Sequence, residues 1–468
     1  KQRKKTAVSR RPSKNLTIQL AEAMAFYEEG EVVAARQQLL GLIKQRPRSK
    51  SILLALLEVS ERMQDWRTYA YYAEQLLPLE RDEDRAETLN NLVYAHIQLI
   101  YPALAWYFAK ELTTKHPDFE LTIQAQSLLT GLEPTLLEEA EGLVGATASP
   151  NETLNLMVQH DRVRFYTESG HPEAAIPEAE AILEKIPNTI PILNNLSLAQ
   201  FMMGNIAQAT TTAENVLAQD PDNFHALGNL VRYSVLTAHF EQAQAYAQRL
   251  EKINNDNPYL LTKQAEAFAF LGDDEKVQAV YERAAAEGSD LNPLLLHLAA
   301  AAFYRLGDEK SAWKLWQKAV KQMPSFDMAQ ASLAEKPLPL GERSVPWYWP
   351  FSYWFPQDIE QLLDKHFGKT IQRKSARGVE QGMKALLAER PYLPKLFPYM
   401  LELGDRTARE FVLNFVRVVE TPELLQVLYD FACSPHGSDD LRFEAIQFIS
   451  QHHPDMLPEN KEVPMWRN

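Results

Sequence analysis

Apolar side chains recur along most of the chain at the three-and-four spacing of amphipathic helices, in short segments that follow one another at an even step. Glycine punctuates them. Gly170 is followed by Gly204 after thirty-four residues, Ala238 takes the same place after another thirty-four, Gly272 after another, and Gly307 after thirty-five. Pro187, Pro221 and Pro324 lie seventeen residues beyond Gly170, Gly204 and Gly307, and Gly30 and Pro47 repeat that distance near the start. Glycine accepts a positive φ and so ends a helix without a Cβ penalty, and proline stops the helix that follows. The predicted unit is helix, tight turn, helix, turn, with Asn205, Asp273 and Asp308 placed to cap the second helix.

Side-chain size alternates within that unit. Ala35, Ala175, Ala209, Ala243 and Ala312 stand five residues after the glycine position, with Val277 as the one enlargement. Phe26, Tyr166, Phe268 and Phe303 stand four before it, with Gln200 and Ser234 as exceptions. Large facing small lets two helices cross closely. These residues resemble the tetratricopeptide repeat family, and the match is best over residues 190–326. Weaker repeats precede it: 16–50 with Gly30, Ala35 and Pro47, 51–79 with Asp65, Trp66 and Ala73, and 86–117 with Ala105 and Pro117. Residues 121–146 read as a hairpin that has lost most markers. About eight hairpins and a degenerate one exceed the roughly three that stacking stability requires. The resemblance implies an all-α fold, a right-handed superhelical solenoid of helix hairpins whose first helices line an inner, concave wall able to hold a polypeptide.

Polar positions on that expected wall are the candidate partner-binding residues. Asn195 and Asn229 share one place in adjacent repeats, Asn91 holds it earlier and Lys263 in the next repeat, while His225 and Arg232 lie one turn to either side of Asn229. Amides can pair with an extended peptide backbone, and they serve equally well to join neighbouring helices. The set resembles in part the carboxylate-gripping repeats of chaperone-binding family members: Asn229 and Lys263 match, whereas Asn194, Leu198 and Tyr259 depart from that pattern.

Beyond residue 326 a short helix at 328–334 is expected to cap the array, and the period then stops. Residues 336–356 combine Pro337, Pro339, Pro346, Pro350 and Pro356 with Trp347, Tyr348, Trp349, Phe351, Tyr353, Trp354 and Phe355. The prolines forbid a long helix, and the rings are too apolar for a solvated linker. Two readings stay open: an internal plug, or a second contact surface through Trp347, Trp349 and Trp354. Helical spacing resumes over 358–367, 375–389, 393–403, 407–419, 422–432 and 439–452, in outline a smaller HEAT-like helical domain. The expected plan is a basic flexible arm at 1–15, divergent repeats at 16–150, repeats with a capping helix at 151–335, a Pro/aromatic connector at 336–356 and a helical domain at 357–468.

A chain of 468 residues that is 46% hydrophobic is not globally disordered. A net charge of −14 argues against a general nucleic-acid binder, since phosphate neutralisation needs surplus Lys and Arg. The exception is the arm, where Lys1, Arg3, Lys4, Lys5, Arg10, Arg11 and Lys14 precede the first acid, Glu22. A start at Lys1 points to processing upstream. No apolar run reaches membrane-spanning length. The lone Cys433 excludes an internal disulfide and fits a reducing compartment, so a cytoplasmic location is expected.

Chemistry is sparse. His452 and His453 are adjacent and point apart on a helix, so no metal site is expected. Gly368, Lys369 and Thr370 end like a phosphate loop but lack its upstream glycine and strand, and Cys433 lies on an apolar helix without a nucleophile's surroundings. Neither a cofactor nor catalysis is expected. The sequence thus points to a non-enzymatic scaffold or adaptor that binds a partner protein or peptide on the concave surface. The alternative is a regulatory subunit of a nucleic-acid-associated or defence complex, its arm contacting nucleic acid.

Overall fold

The computed structural model describes residues 16–144, 149–288, 291–355, 365 and 376–457, so the basic arm, the 358–367 helix and the Gly368 segment lie outside the described residues. The chain forms two compact units, Lys1–Ser169 and Gly170–Asn468. The first contains α1 (Leu16–Glu28), α2 (Val32–Gln45), α3 (Lys50–Arg62), α4 (Trp66–Leu76), α5 (Asp82–Gln98), α6 (Pro102–Lys115), α7 (Thr122–Val144) and α8 (Pro150–Glu168). The second begins with α9 (Pro172–Lys185), α10 (Ile190–Met202), α11 (Ile206–Gln219), α12 (Phe224–Leu236), α13 (Phe240–Glu251), α14 (Leu260–Leu271), α15 (Asp274–Ala286), α16 (Pro293–Arg305), α17 (Glu309–Gln322) and α18 (Asp327–Ala334).

The turns marked by the glycine period are in place. Gly30, Gly170, Gly204, Gly272 and Gly307 all take positive φ, between 72° and 93°, and Ala238 takes the same conformation at 59°. After Gly30, Gly204, Ala238, Gly272 and Gly307 the next residue donates its N–H to the carbonyl five residues back, as in Glu31 to Phe26 and Asp308 to Phe303, both at 2.8 Å. Two of the divergent repeats use the same device without glycine: Gln64 (54°) and Ile100 (59°) occupy its place. Asp65, Asp273 and Asp308 accept from the N–H three residues on and cap α4, α15 and α17, whereas Asn205 makes no capping bond. The small residues Ala35, Ala105, Ala175, Ala209, Ala243, Val277 and Ala312 are fully buried. One repeat inverts the pattern: Tyr69 holds the small residue's place and Ser60 the large one's, both buried.

The expected hairpin over 121–146 is instead a single helix, α7, of 23 residues with Pro134 inside it. No residue between 122 and 144 takes a positive φ, so the chain has no place to fold back.

After α18 the second unit continues through the connector to a short turn of helix, α19 (Phe351–Trp354), and then α20 (Ala376–Glu389), α21 (Leu393–Leu403), α22 (Arg406–Val416), α23 (Pro422–Ala432) and α24 (Asp439–His452). Its buried apolar residues form one contiguous core running from Phe201 on α10 through the connector to Ile449 on α24.

Candidate interaction surface

The first helices α10, α12, α14 and α16 pack side by side in the second unit and carry five of the six candidate residues. Asn195 is half-buried and donates to the Pro191 carbonyl of its own helix at 3.0 Å. Asn229 is buried. His225 is half-buried, with its ring 4.1 Å from Phe224 and 6.5 Å from the half-exposed Tyr259. Lys263 pairs with Glu266 at 2.7 Å and lies against Gly228, where an added Cβ would come within 3.3 Å of its stem. Arg232 lies among the rings of Phe201, Phe270 and Tyr353, with centroids 4.8, 5.6 and 5.3 Å away.

The sixth residue, Asn91, is on α5 of the first unit. It hydrogen-bonds Tyr69, whose phenol is pushed up to about 12, chiefly by burial. Leu54, Tyr94 and Ile97, on α3 and α5, are between 42% and 51% exposed, so these first helices present apolar side chains to solvent. Trp66 and Tyr94 meet edge to face at 5.2 Å. A cleft of about 510 Å³ also opens between α6 and α7, where Lys110 lies 4.4 Å above the Trp106 ring and the indole donates to Glu133. Among the described residues no group of three or more His, Cys, Asp or Glu is arranged to hold a metal.

The connector resolves the two readings of its rings. Trp347, Trp349 and Trp354 are 4%, 0% and 1% exposed, so these three do not form a second contact surface and act as an internal plug. The reason is packing area: the rings are buried between first helices and the C-terminal helices, with Trp349 stacked on Phe270 at 4.2 Å and Trp347 5.1 Å from His297. The main chain is held as well. Tyr348 and Trp349 donate to the Leu403 carbonyl, Asp405 donates back to Trp349, and Glu335 receives the N–H groups of Ser344 and Val345.

Four polar residues that sequence reasoning missed fasten this arrangement. Fully buried His297 accepts from the Trp316 indole at Nδ1 (3.1 Å), which leaves Nε2 to donate to the Tyr348 carbonyl at 3.1 Å. Burial holds its pKa down to about 4, so the ring is neutral. Arg305 bonds both oxygens of Asp274 at 2.9 Å, Asp274 also accepts from the Tyr348 hydroxyl at 2.7 Å, and Arg305 reaches Glu402 at 2.6 Å. Arg409, fully buried, donates to the carbonyls of Leu401, Ser344, Pro346 and Glu402, and burial lowers its pKa to about 10. Their partners lie far away in sequence. The only local sign was a histidine interrupting the apolar run 291–303.

Residues 200–267 match the tetratricopeptide repeat family. That stretch is built of tetratricopeptide repeats. A curated relative, the TPR repeat-containing protein YvcD of Bacillus subtilis (strain 168), is 23% identical over 349 residues, which cover 71% of this chain and 63% of that protein. Solved tetratricopeptide structures align over long stretches at low similarity. One from Parabacteroides merdae ATCC 43184 is 13% identical with a TM-score of 0.35, covering 68% of this chain and 97% of its own. The TPR domain of P58(IPK) is 12% identical with a TM-score of 0.24, covering 68% and 96%. The TPR2AB domain of yeast Sti1 in complex with pHSP90 is 14% identical with a TM-score of 0.21, covering 57% and 97%. No described helix is long and apolar enough to cross a membrane.

Proposed function

We propose that this protein is a non-enzymatic adaptor that binds a partner polypeptide along its first-helix walls, with Asn91, Asn195, His225, Asn229, Arg232 and Lys263 as contact residues. Tetratricopeptide proteins generally mediate protein–protein interaction, and function is argued here from the surface. The observation that carries the reading is the half-exposed set Leu54, Tyr94 and Ile97 beside Asn91: apolar side chains on successive first helices that no other part of the unit covers. Such a surface suits an extended or helical segment that places apolar anchors among amide donors. The test is affinity capture from the native host with wild type, Tyr94→Ala, and a combined Asn195→Ala, Asn229→Ala and Lys263→Ala variant. At least one variant is expected to lose a specific partner while keeping its helical circular dichroism. An unchanged set of captured proteins in all of them would end the assignment.

A further inference from the structure

Arg232 differs from the other cation of its wall. Lys263 is neutralised by Glu266, whereas no hydrogen bond or ion pair joins the Arg232 guanidinium to any described residue, and its Nε is buried without an acceptor. Acids outnumber bases in this chain, 62 to 48, yet among the described residues none forms an ion pair with this one. Three rings surround it instead: Phe201 from α10, Phe270 from α14 and Tyr353 from the connector. Aromatic faces attract the cation through their quadrupole but offer nothing to the in-plane N–H donors. Those donors need an oxygen acceptor lying in the guanidinium plane, and a carboxylate matches that fork.

The cage is rigid. Trp349 stacks on both Phe270 (4.2 Å) and Tyr353 (5.3 Å), and its own main chain is bonded to Leu403 and Asp405. A buried donor left unfilled costs stability, so a cation prearranged in this way is suited to an acceptor that arrives with a ligand. We propose that the cage of Phe201, Arg232, Phe270 and Tyr353 recognises an acidic side chain of the partner polypeptide. This rests on the first-helix wall being the peptide surface, and it makes the connector part of the site, since Tyr353 supplies one of the rings.

The test uses the full chain and an array of short synthetic peptides printed in pairs, each Asp- or Glu-containing sequence beside its Asn or Gln version. Wild type is expected to favour the acidic members by about tenfold. Arg232→Gln should erase the preference, Arg232→Lys should keep only part of it because an ammonium lacks the planar fork, and Tyr353→Ala should weaken it while Tyr353→Phe does not. Equal binding of acidic and amide members by wild type, or a preference that survives in Arg232→Gln, overturns the cage. Failure of wild type to bind any peptide sinks the wall reading beneath it. Since Arg232→Gln also removes packing, the lysine and tyrosine variants keep the outcome decisive if it folds poorly.

Discussion

Ile100 sits at φ 59°, in the turn position that glycine holds in five repeats, and is 70% exposed. A β-branched residue in the left-handed region is strained by roughly 1–2 kcal/mol, and little burial offsets it here. Ile100→Gly relieves that strain at an unfolded-state entropy cost of about 0.5–1 kcal/mol. A net gain of a few tenths to about 1 kcal/mol is expected, read as a higher urea midpoint. Gly307→Ala at φ 93° should shift the midpoint the other way by about 1 kcal/mol. Equal midpoints for both variants and wild type would mean that the turns carry no such strain. The glycine period was legible because only one residue type is free of the penalty. Gln64 and Ile100 were not legible, since a turn fixed by its neighbours tolerates other residues at a cost that the sequence does not display.

At the scale of elements, the connector is held by His297 and Arg409. Folded His297 has its pKa lowered to about 4 by burial, against about 6.5 when unfolded, so the unfolded chain takes up the proton first as pH falls. Its contribution is fully present above about 6.5 and is lost on acidification towards 4. Between pH 7 and pH 5 the loss should be about 2 kcal/mol. His436, lowered to about 3 by burial and by Arg305, Arg409 and Arg442, acts in the same direction. In urea denaturation at both pH values, His297→Gln should therefore show a smaller, though not zero, loss of stability than wild type. An identical loss would remove His297 from the account. Arg409→Met removes the donor shared by four main-chain carbonyls while keeping apolar volume, and should cost at least about 3 kcal/mol, with a red shift of tryptophan emission as the plug loosens. A variant within 1 kcal/mol of wild type and with unshifted emission would contradict the clamp. None of these contacts could be read in advance, because Arg409 reaches Ser344 across 65 residues and His297 reaches Tyr348 across 51.

For the whole molecule, the two units should respond differently to loss of an aromatic ring. Tyr94→Ala removes a half-exposed side chain on the first unit's wall and should leave stability within about 1 kcal/mol of wild type while reducing partner capture. Trp349→Ala empties a fully buried site between first helices and C-terminal helices and should cost about 3–5 kcal/mol, opening protease sites in the second unit. The reverse ranking, in thermal melts and limited proteolysis, would show that the plug and the open wall have been exchanged.

The sequence by itself determined the repeat, its turns and its helical class, because each rests on local physics: which residue tolerates positive φ, which stops a helix, and which sizes fit across a close crossing. It brought Asn195, His225, Asn229, Arg232 and Lys263 to neighbouring first helices for the same reason, since a fixed period places equivalent positions side by side. Only the tertiary structure decided that α7 is one helix, that the connector's tryptophans face inward, and that Arg232 is ringed by aromatics with no carboxylate paired to it among the described residues. Those outcomes depend on which distant surfaces meet, and burial area and hydrogen-bond satisfaction between segments far apart in the chain leave no periodic mark in it.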